Sequence, residues 1–219
     1  MLINVGTILA IIFKGMLIGI IASAPMGPVG VLCVQRTLNK GRWYGFATGI
    51  GAATSDLLYA LFTGFGMSFV FDYLNQNIFY LQLFGSALLF FFGLYTFRSN
   101  PLNALRPPSG KGNGTYWHNT LTAFLVTFSN PLIIFLFIGL FARFSFVEPG
   151  ELVSETLLGY VSIVSGALLW WFGITWFINK VRKQFNLHGI LYLNRFIGGL
   201  VMLVSLLAFI LTLLGESLY

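Results

Sequence analysis

The sequence predicts an all-α integral membrane protein with six transmembrane helices, and two observations lead to that prediction. Hydrophobic residues make up 57% of the 219 positions and charged residues only 8%, more apolar surface than a soluble domain of this size could bury. Six apolar stretches also reach the roughly 20 residues that a helix needs to cross a bilayer. They are residues 5–35, 44–71, 77–97, 119–142, 153–179 and 193–214.

The first stretch, 5–35, contains prolines in its middle, within Ala24-Pro25-Met26-Gly27-Pro28. Proline removes a backbone donor and clashes with the preceding turn of a helix. In hydrocarbon, the freed backbone groups must find partners in protein, water or a ligand. We therefore expect helix 1 to be broken at these prolines. The apolar run is too long for a signal peptide, so we expect it to remain as a helix.

The second stretch, 44–71, contains Asp56, the one acidic residue deep inside an apolar stretch. A charge near the bilayer centre costs about 2.5–3.5 kcal/mol, so Asp56 is a candidate for binding a cationic group or carrying a proton. Tyr59, three residues further on, is grouped with it as a candidate. The structural alternative is a neutral acid that is hydrogen-bonded to Thr54 or Ser55.

The fourth stretch, 119–142, is interrupted by Ser129-Asn130-Pro131 as the first is by its own prolines, so we expect helix 4 to be broken as well. Proline is favoured at the first position of a helix, with Gly or Asn before it. Gly27-Pro28 and Asn130-Pro131 fit that pattern and could each start a half-helix inside the membrane. Helix N-termini attract anions, so a carboxylate could bind there while Asp56 binds an ammonium group. The alternative is that the prolines only kink their helices.

The fifth stretch, 153–179, carries Trp170 and Trp171. We expect both to face lipid, the interface or the core, with lining of a site opposite Asp56 as the alternative. The third and sixth stretches share a similar segment: Phe84-Gly85-Ser86-Ala87-Leu88 resembles Ile197-Gly198-Gly199-Leu200-Val201.

The order of these features predicts two repeats of three helices, 1–97 and 119–219, joined by a linker at 98–118, within a single transmembrane domain. An odd number of helices in each repeat inverts the second copy, and inverted repeats place a binding site near the midplane where they meet. Chance similarity between glycine-rich apolar helices is the alternative.

Basic residues cluster on one side of this topology and predict its orientation. They lie in the connections 36–42, 98–118 and 180–195, which the positive-inside rule assigns to the cytoplasm. Both termini are then expected outside. Lys14 would lie in the outer part of helix 1, and about 1.5 Å of rise per residue puts Lys14 and Asp56 near the middle or outer half of the bilayer. We expect an ion pair between them or, alternatively, Lys14 extending to the outer surface.

Other chemistry finds little support in the sequence. Cys33 is the single cysteine, so a disulfide within the chain or a cysteine-pair redox centre is not expected. Nucleophile–base sets, phosphate loops and metal-ligand spacings do not stand out, so neither an enzyme nor a cofactor or metal site is expected. The net charge of +6 fits membrane orientation better than nucleic-acid binding.

Several motifs together resemble the LysE/RhtB family of amino-acid exporters. They are Gly27-Pro28-Val29-Gly30-Val31-Leu32, Gln35-Arg36-Thr37-Leu38, Gly41-Arg42-Trp43-Tyr44-Gly45, Gly49-Ile50-Gly51 with Asp56, Phe84-Gly85 with Gly93-Leu94-Tyr95, and Phe128-Ser129-Asn130-Pro131. The resemblance implies a six-helix bacterial inner-membrane exporter driven by an ion gradient. The family often has Asn or Asp after the first Gly-Pro, where this chain has Val29-Gly30, which leaves the substrate open.

These observations favour a secondary transporter that exports amino acids or related amphoteric solutes, with protons as the expected coupling ion. The predicted substrate and coupling residues are Asp56, Lys14, Pro25, Gly27, Pro28, Ser129, Asn130, Pro131 and Tyr59. A metal-ion or other cation exporter and a non-transporting membrane scaffold are the alternatives. The expected partners are the solute, the coupling ion and lipid; homo-oligomer formation is left open.

Overall fold

The computed structural model describes residues 5–75, 78–100, 115–130, 132–146, 152–181 and 188–214, and all regular structure in these ranges is helical. The described residues form eight helices. They are α1 (Val5–Ser23), α2 (Pro28–Lys40), α3 (Arg42–Asn75), α4 (Ile78–Arg98), α5 (Tyr116–Phe128), α6 (Leu132–Phe144), α7 (Val153–Lys180) and α8 (His188–Leu213). The predicted linker segment 101–114 and Pro131 lie outside the described residues.

Four of these helices are long and apolar enough to cross a membrane: Val5–Ser23, Phe79–Arg98, Val153–Lys180 and Gly189–Leu213. The pair Tyr116–Phe128 and Leu132–Phe144 adds a fifth if it is counted as one span, bent by 75°. With 34 residues, α3 is longer than any of them, but small and polar residues such as Gly51, Thr54 and Asp56 dilute its apolar character. The chain is therefore an α-helical multi-pass membrane protein with four to five candidate spans.

The first predicted stretch divides into two helices. Helix α1 ends at Ser23 and α2 begins at Pro28, which occupies the start of the helix behind Gly27 as N-cap. That order is expected because the missing N–H of proline costs nothing in the first turn of a helix. In the fourth stretch, α5 ends at Phe128 and α6 begins at Leu132, with Asn130 between them.

Glycines set the distances between the packed helices. Helix α1 packs on α7, α3 on α5 and α4 on α8. A Cβ atom at Gly19 would meet the backbone of Ile163, and one at Gly51 would meet the backbone of Thr120. Such contacts bring helix backbones close together, as is usual in membrane proteins. Of the two glycines that the sequence comparison aligned, Gly85 packs on α6 near Gly139 and Gly198 packs on α4 near Gly93.

The most enclosed helix is α6. Its buried residues include Phe137, Leu140 and Phe141, which form a core cluster with Ile18 of α1 and Ile163 of α7. Many large apolar side chains point outward from the surrounding helices. Examples are Phe13, Phe84, Phe91, Val161 and Leu203. An apolar exterior around a close-packed interior is the distribution expected for helices that contact lipid.

Candidate functional site

The two interruptions between helices lie on one cavity of about 370 Å³. All eight helices contribute to its wall. The predicted site residues Pro25, Gly27, Pro28, Asp56 and Asn130 all line it. Pro25 and Gly27 lie between α1 and α2, and Asn130 lies between α5 and α6, so residues about 100 positions apart in sequence meet in one cavity.

Asp56 is buried in this wall, with 4% of its surface exposed. The Ser23 hydroxyl, at the end of α1, donates to its Oδ2 at 3.2 Å. Among the described residues that line the cavity, Asp56 is the only acidic or basic side chain. The described wall of the cavity therefore carries a single carboxyl group.

Lys14 does not line the cavity. Ser23 contacts Asp56, and Lys14 lies nine residues earlier in the same helix, which corresponds to about 13 Å along the axis. A lysine side chain does not extend that far. The expected ion pair between Lys14 and Asp56 is therefore not a feature of this arrangement, because α1 presents its end to Asp56 and not its middle.

Asp56 shares the cavity with residues at the C-terminal end of α4. About 28 Å of helix separates Asp56 from Asn75 at the end of α3, and about 27 Å separates Thr96 of α4 from Ile78. These two lengths are similar, and Asp56 lines the same cavity as Thr96, Ser99 and Asn100 at and just after the C-terminal end of α4. That end of α4 is predicted to be cytoplasmic, and the depth of Asp56 in the bilayer stays a prediction.

Asn194 of α8 satisfies the backbone at the first interruption. Its Oδ1 accepts a hydrogen bond from the Met26 N–H at 2.9 Å, and its Nδ2 donates to the Thr96 carbonyl at 2.6 Å and to Ser99 Oγ at 3.0 Å. Only 1% of its surface is exposed. The sequence analysis did not select Asn194, although an amide at the edge of an apolar stretch needs hydrogen-bond partners.

The N-terminus of α2 is open toward the cavity. Gly27 provides no side-chain cap, and the Val29 and Gly30 N–H groups have no acceptor among the described residues outside the helix. Both residues line the cavity. Two free donors at the positive end of a helix are suited to an anion.

The N-terminus of α6 is capped by Asn130, which lies just before this helix. Asn130 Oδ1 accepts from the Leu132 N–H and its carbonyl accepts from the Ile133 N–H, both at 3.2 Å. Tyr59 donates its hydroxyl to the Phe128 carbonyl at 2.7 Å, and Ser129 donates to the Leu125 carbonyl. Tyr59 and Ser129 thus hold the second interruption together and do not line the cavity.

Two polar atoms in the cavity wall have no partner among the described residues. They are the indole N–H of Trp171 and the hydroxyl of Thr127. These side chains are 3% and 5% exposed, respectively. Buried polar groups are normally hydrogen-bonded, so both are available to a ligand. The sequence analysis gives Trp171 as an alternative lining residue. It does not select Thr127, because a single hydroxyl residue within a helix forms no recognisable sequence motif.

Metal ligands are not assembled in the part of the chain that the structure describes: no group of three His, Cys, Asp or Glu side chains could hold an ion there. Cys33 is a buried free thiol, and its Sγ contacts the Gly45 carbonyl at 3.4 Å.

Comparison with known proteins relates the chain to transporters. The family described as "LysE type translocator" matches residues 20–212. A protein of Bacillus subtilis (strain 168), named "Putative amino acid efflux protein YcgF", is 31% identical over 156 residues, which cover 70% of this chain and 73% of that protein. No solved structure matches the chain.

Proposed function

Because the chain belongs to the LysE translocator family, we propose that it is a secondary active transporter that exports amino acids or related small amphoteric solutes. The family resemblance seen in the sequence motifs is confirmed by these matches. The observation that supports the proposal most strongly is the cavity where both interruptions meet the single carboxyl group of Asp56.

The substrate site is this cavity. Gly27, Pro28 and Asp56 contact the solute directly, and Pro25 and Asn130 complete the wall. Tyr59 and Ser129 do not contact the solute and act indirectly, by stabilising the chain between α5 and α6. Interrupted helices at a cavity supply unpaired backbone groups that can bind a charged substrate, as in many secondary transporters.

Substrate enters from the cytoplasm. The cavity reaches Ser99 and Asn100, which directly follow α4 and precede the predicted cytoplasmic linker. Asn100 is exposed, so this end of the cavity is the accessible one. An exporter must load its substrate on that side.

Coupling to protons follows from the single carboxyl group. A substrate ammonium and a proton both require the Asp56 carboxylate, so they bind in alternation and not together. Release of substrate outside allows a proton to bind Asp56, and the neutral site then returns to the cytoplasmic side. Exchange of one for the other is antiport.

The fold is best described as six spans in two inverted repeats, with α1–α2 and α5–α6 as the interrupted first and fourth spans. Helix packing supports this. Exchanging the halves pairs α1 with α5, α3 with α7 and α4 with α8. Under this exchange the α1–α7 contact becomes the α5–α3 contact, and the α4–α8 and α3–α7 contacts are unchanged. The chain lies in the bacterial inner membrane as one domain, with both termini outside and the 98–118 linker inside.

The alternatives receive less support. A metal exporter requires several oxygen or sulfur ligands to converge, and the cavity offers one carboxyl group among its described residues. A scaffold would have no need for a cavity with unpaired donors.

The test is Asp56→Asn in proteoliposomes loaded with a panel of amino acids. We expect efflux driven by a pH gradient to fall to the background of empty vesicles, because asparagine can neither bind a proton nor offer a negative charge to an ammonium group. Glu155→Gln removes a partly exposed carboxylate outside the cavity and serves as the control. Full pH-driven efflux by Asp56→Asn would remove Asp56 as the coupling group.

A further inference from the structure

We infer that the cavity is a two-point site for a neutral amino acid, whose carboxylate binds the N-terminus of α2 with the indole N–H of Trp171 while its ammonium group binds Asp56. The inference rests on the proposed transport function and names its substrate class. Four features of the site support it.

The two interruptions are chemically different. At α6, Asn130 uses both its side-chain and backbone oxygens to bind the N–H groups of the first turn. At α2, the residue in the same position is Gly27, which has no side chain to do so. An incoming anion therefore finds free donors at Val29 and Gly30 and occupied ones at Leu132 and Ile133.

Trp171 adds a donor to the same cavity. It belongs to the buried cluster that contains Val29 and Ala52, and its indole N–H has no partner among the described residues. A buried tryptophan usually places this N–H against an acceptor. A carboxylate at the start of α2 supplies one.

The acidic group lines the same cavity and is available to the other end of an amino acid. Ala52 belongs to the same buried cluster as Trp171 and Val29 and lines the same cavity, and Asp56 follows it by one helical turn, or about 6 Å along α3. The ammonium and carboxylate groups of an α-amino acid, each with a hydrogen bond of about 2.8 Å, fit that separation. A longer diamine or dicarboxylate would not place its charges so close together.

The remaining wall selects for an uncharged side chain. It is formed largely by apolar residues such as Phe92, Val126, Ile133 and Leu136. A second charge on the substrate would be buried there without a partner, which is strongly unfavourable. A volume of about 370 Å³ is near the lower end of the roughly 300–1,000 Å³ typical of small-molecule sites, so the side chain is of small or moderate size.

The first test compares Trp171→Phe with Trp170→Phe in proteoliposomes that export leucine. Phenylalanine keeps an aromatic ring and removes only the indole N–H at position 171. We expect the KM for leucine to rise about tenfold, the value of one hydrogen bond to a charged group. Trp170 also has an unpartnered indole N–H, but it lines a separate groove with Ile20 and Phe177, so Trp170→Phe should leave the KM unchanged.

The second test is Gly27→Asn, which gives α2 the cap that α6 already has. A Cβ at Gly27 would meet no atom within 4 Å, so the variant should fold with at least its original thermal stability. The new amide oxygen would occupy the N–H groups that the substrate needs, and the KM for leucine should rise. Gly27→Ala adds the Cβ without an oxygen and measures how much of that rise comes from bulk alone.

Competition assays on the wild-type protein identify the substrate class. Leucinamide, which lacks the carboxylate, and lysine, which carries a second cation, should each inhibit leucine export far less than unlabelled leucine does. Equal competition by leucinamide, preference for lysine, or an unchanged KM in both Trp171→Phe and Gly27→Asn would overturn the inference while leaving amino-acid export intact. Failure of the wild type to export any amino acid would instead overturn the proposed function.

Discussion

Individual polar side chains make the interrupted backbone compatible with a membrane. Asn194 binds the Met26 N–H of the first interruption, and Tyr59 binds the Phe128 carbonyl of the second. Each comes from a different helix than the groups it binds. A polar backbone group without such a partner would cost several kcal/mol in hydrocarbon, so these two residues fix where each interruption can lie.

Asn194→Leu should destabilise the protein. It would leave the Met26 N–H buried without a partner, and an orphaned group of this kind costs about 1–3 kcal/mol. The change in the free energy of unfolding in detergent micelles measures the effect. Ser165→Ala is the comparison, because Ser165 is exposed and donates only to its own helix. Equal stability of the two variants would argue against this role of Asn194.

At the scale of helices, the sequence located most elements well and missed how far they extend. The second stretch was expected at 44–71, and α3 occupies Arg42–Asn75. It follows α2 after the single residue Gly41, whose φ of +103° favours glycine. Apolar periodicity cannot detect such an extension, because the added turns contain polar as well as apolar residues.

Glycines in close helix contacts should differ from exposed glycines in how they tolerate alanine. Two alanine substitutions test this difference through their effect on stability. In Gly19→Ala the new methyl group would overlap the Ile163 carbonyl of α7, and overpacking of this kind costs about 1–3 kcal/mol. Gly173→Ala, where a Cβ would meet nothing within 4 Å, should instead stabilise α7 by roughly 0.5–1 kcal/mol. Thermal unfolding of the two variants should therefore shift in opposite directions; a shared direction would contradict the α1–α7 contact.

Across the whole molecule, one arginine joins the two halves. The Arg36 guanidinium, on α2, donates to Thr48 Oγ1 and the Asn119 carbonyl, both at 2.9 Å, and to Thr122 Oγ1 at 2.7 Å. It connects α2 and α3 to α5, and the fixed fork of donors in arginine suits this role. In the sequence, Arg36 served only as one of the charges that predict orientation.

Orientation can be tested with a membrane-impermeant maleimide. His118→Cys and Leu152→Cys place thiols at exposed positions on opposite sides of the proposed topology, while the native Cys33 is fully buried and should react little. We expect His118→Cys to be labelled only in inverted vesicles and Leu152→Cys only in right-side-out vesicles. Labelling of both from the same side would overturn the six-span arrangement.

The sequence by itself determined the membrane class, the helices, the family and the residues around which the cavity forms, because composition, apolar length and proline placement act locally along the chain. It could not determine that Lys14 lies a long way from Asp56, that Asn130 caps its own helix while Gly27 leaves α2 open, or that Trp171 and Thr127 face the same cavity. Those features depend on the rotation and depth of each helix against its neighbours. Close glycine contacts and a few buried hydrogen bonds between residues distant in sequence set that rotation and depth, and no local pattern encodes such contacts.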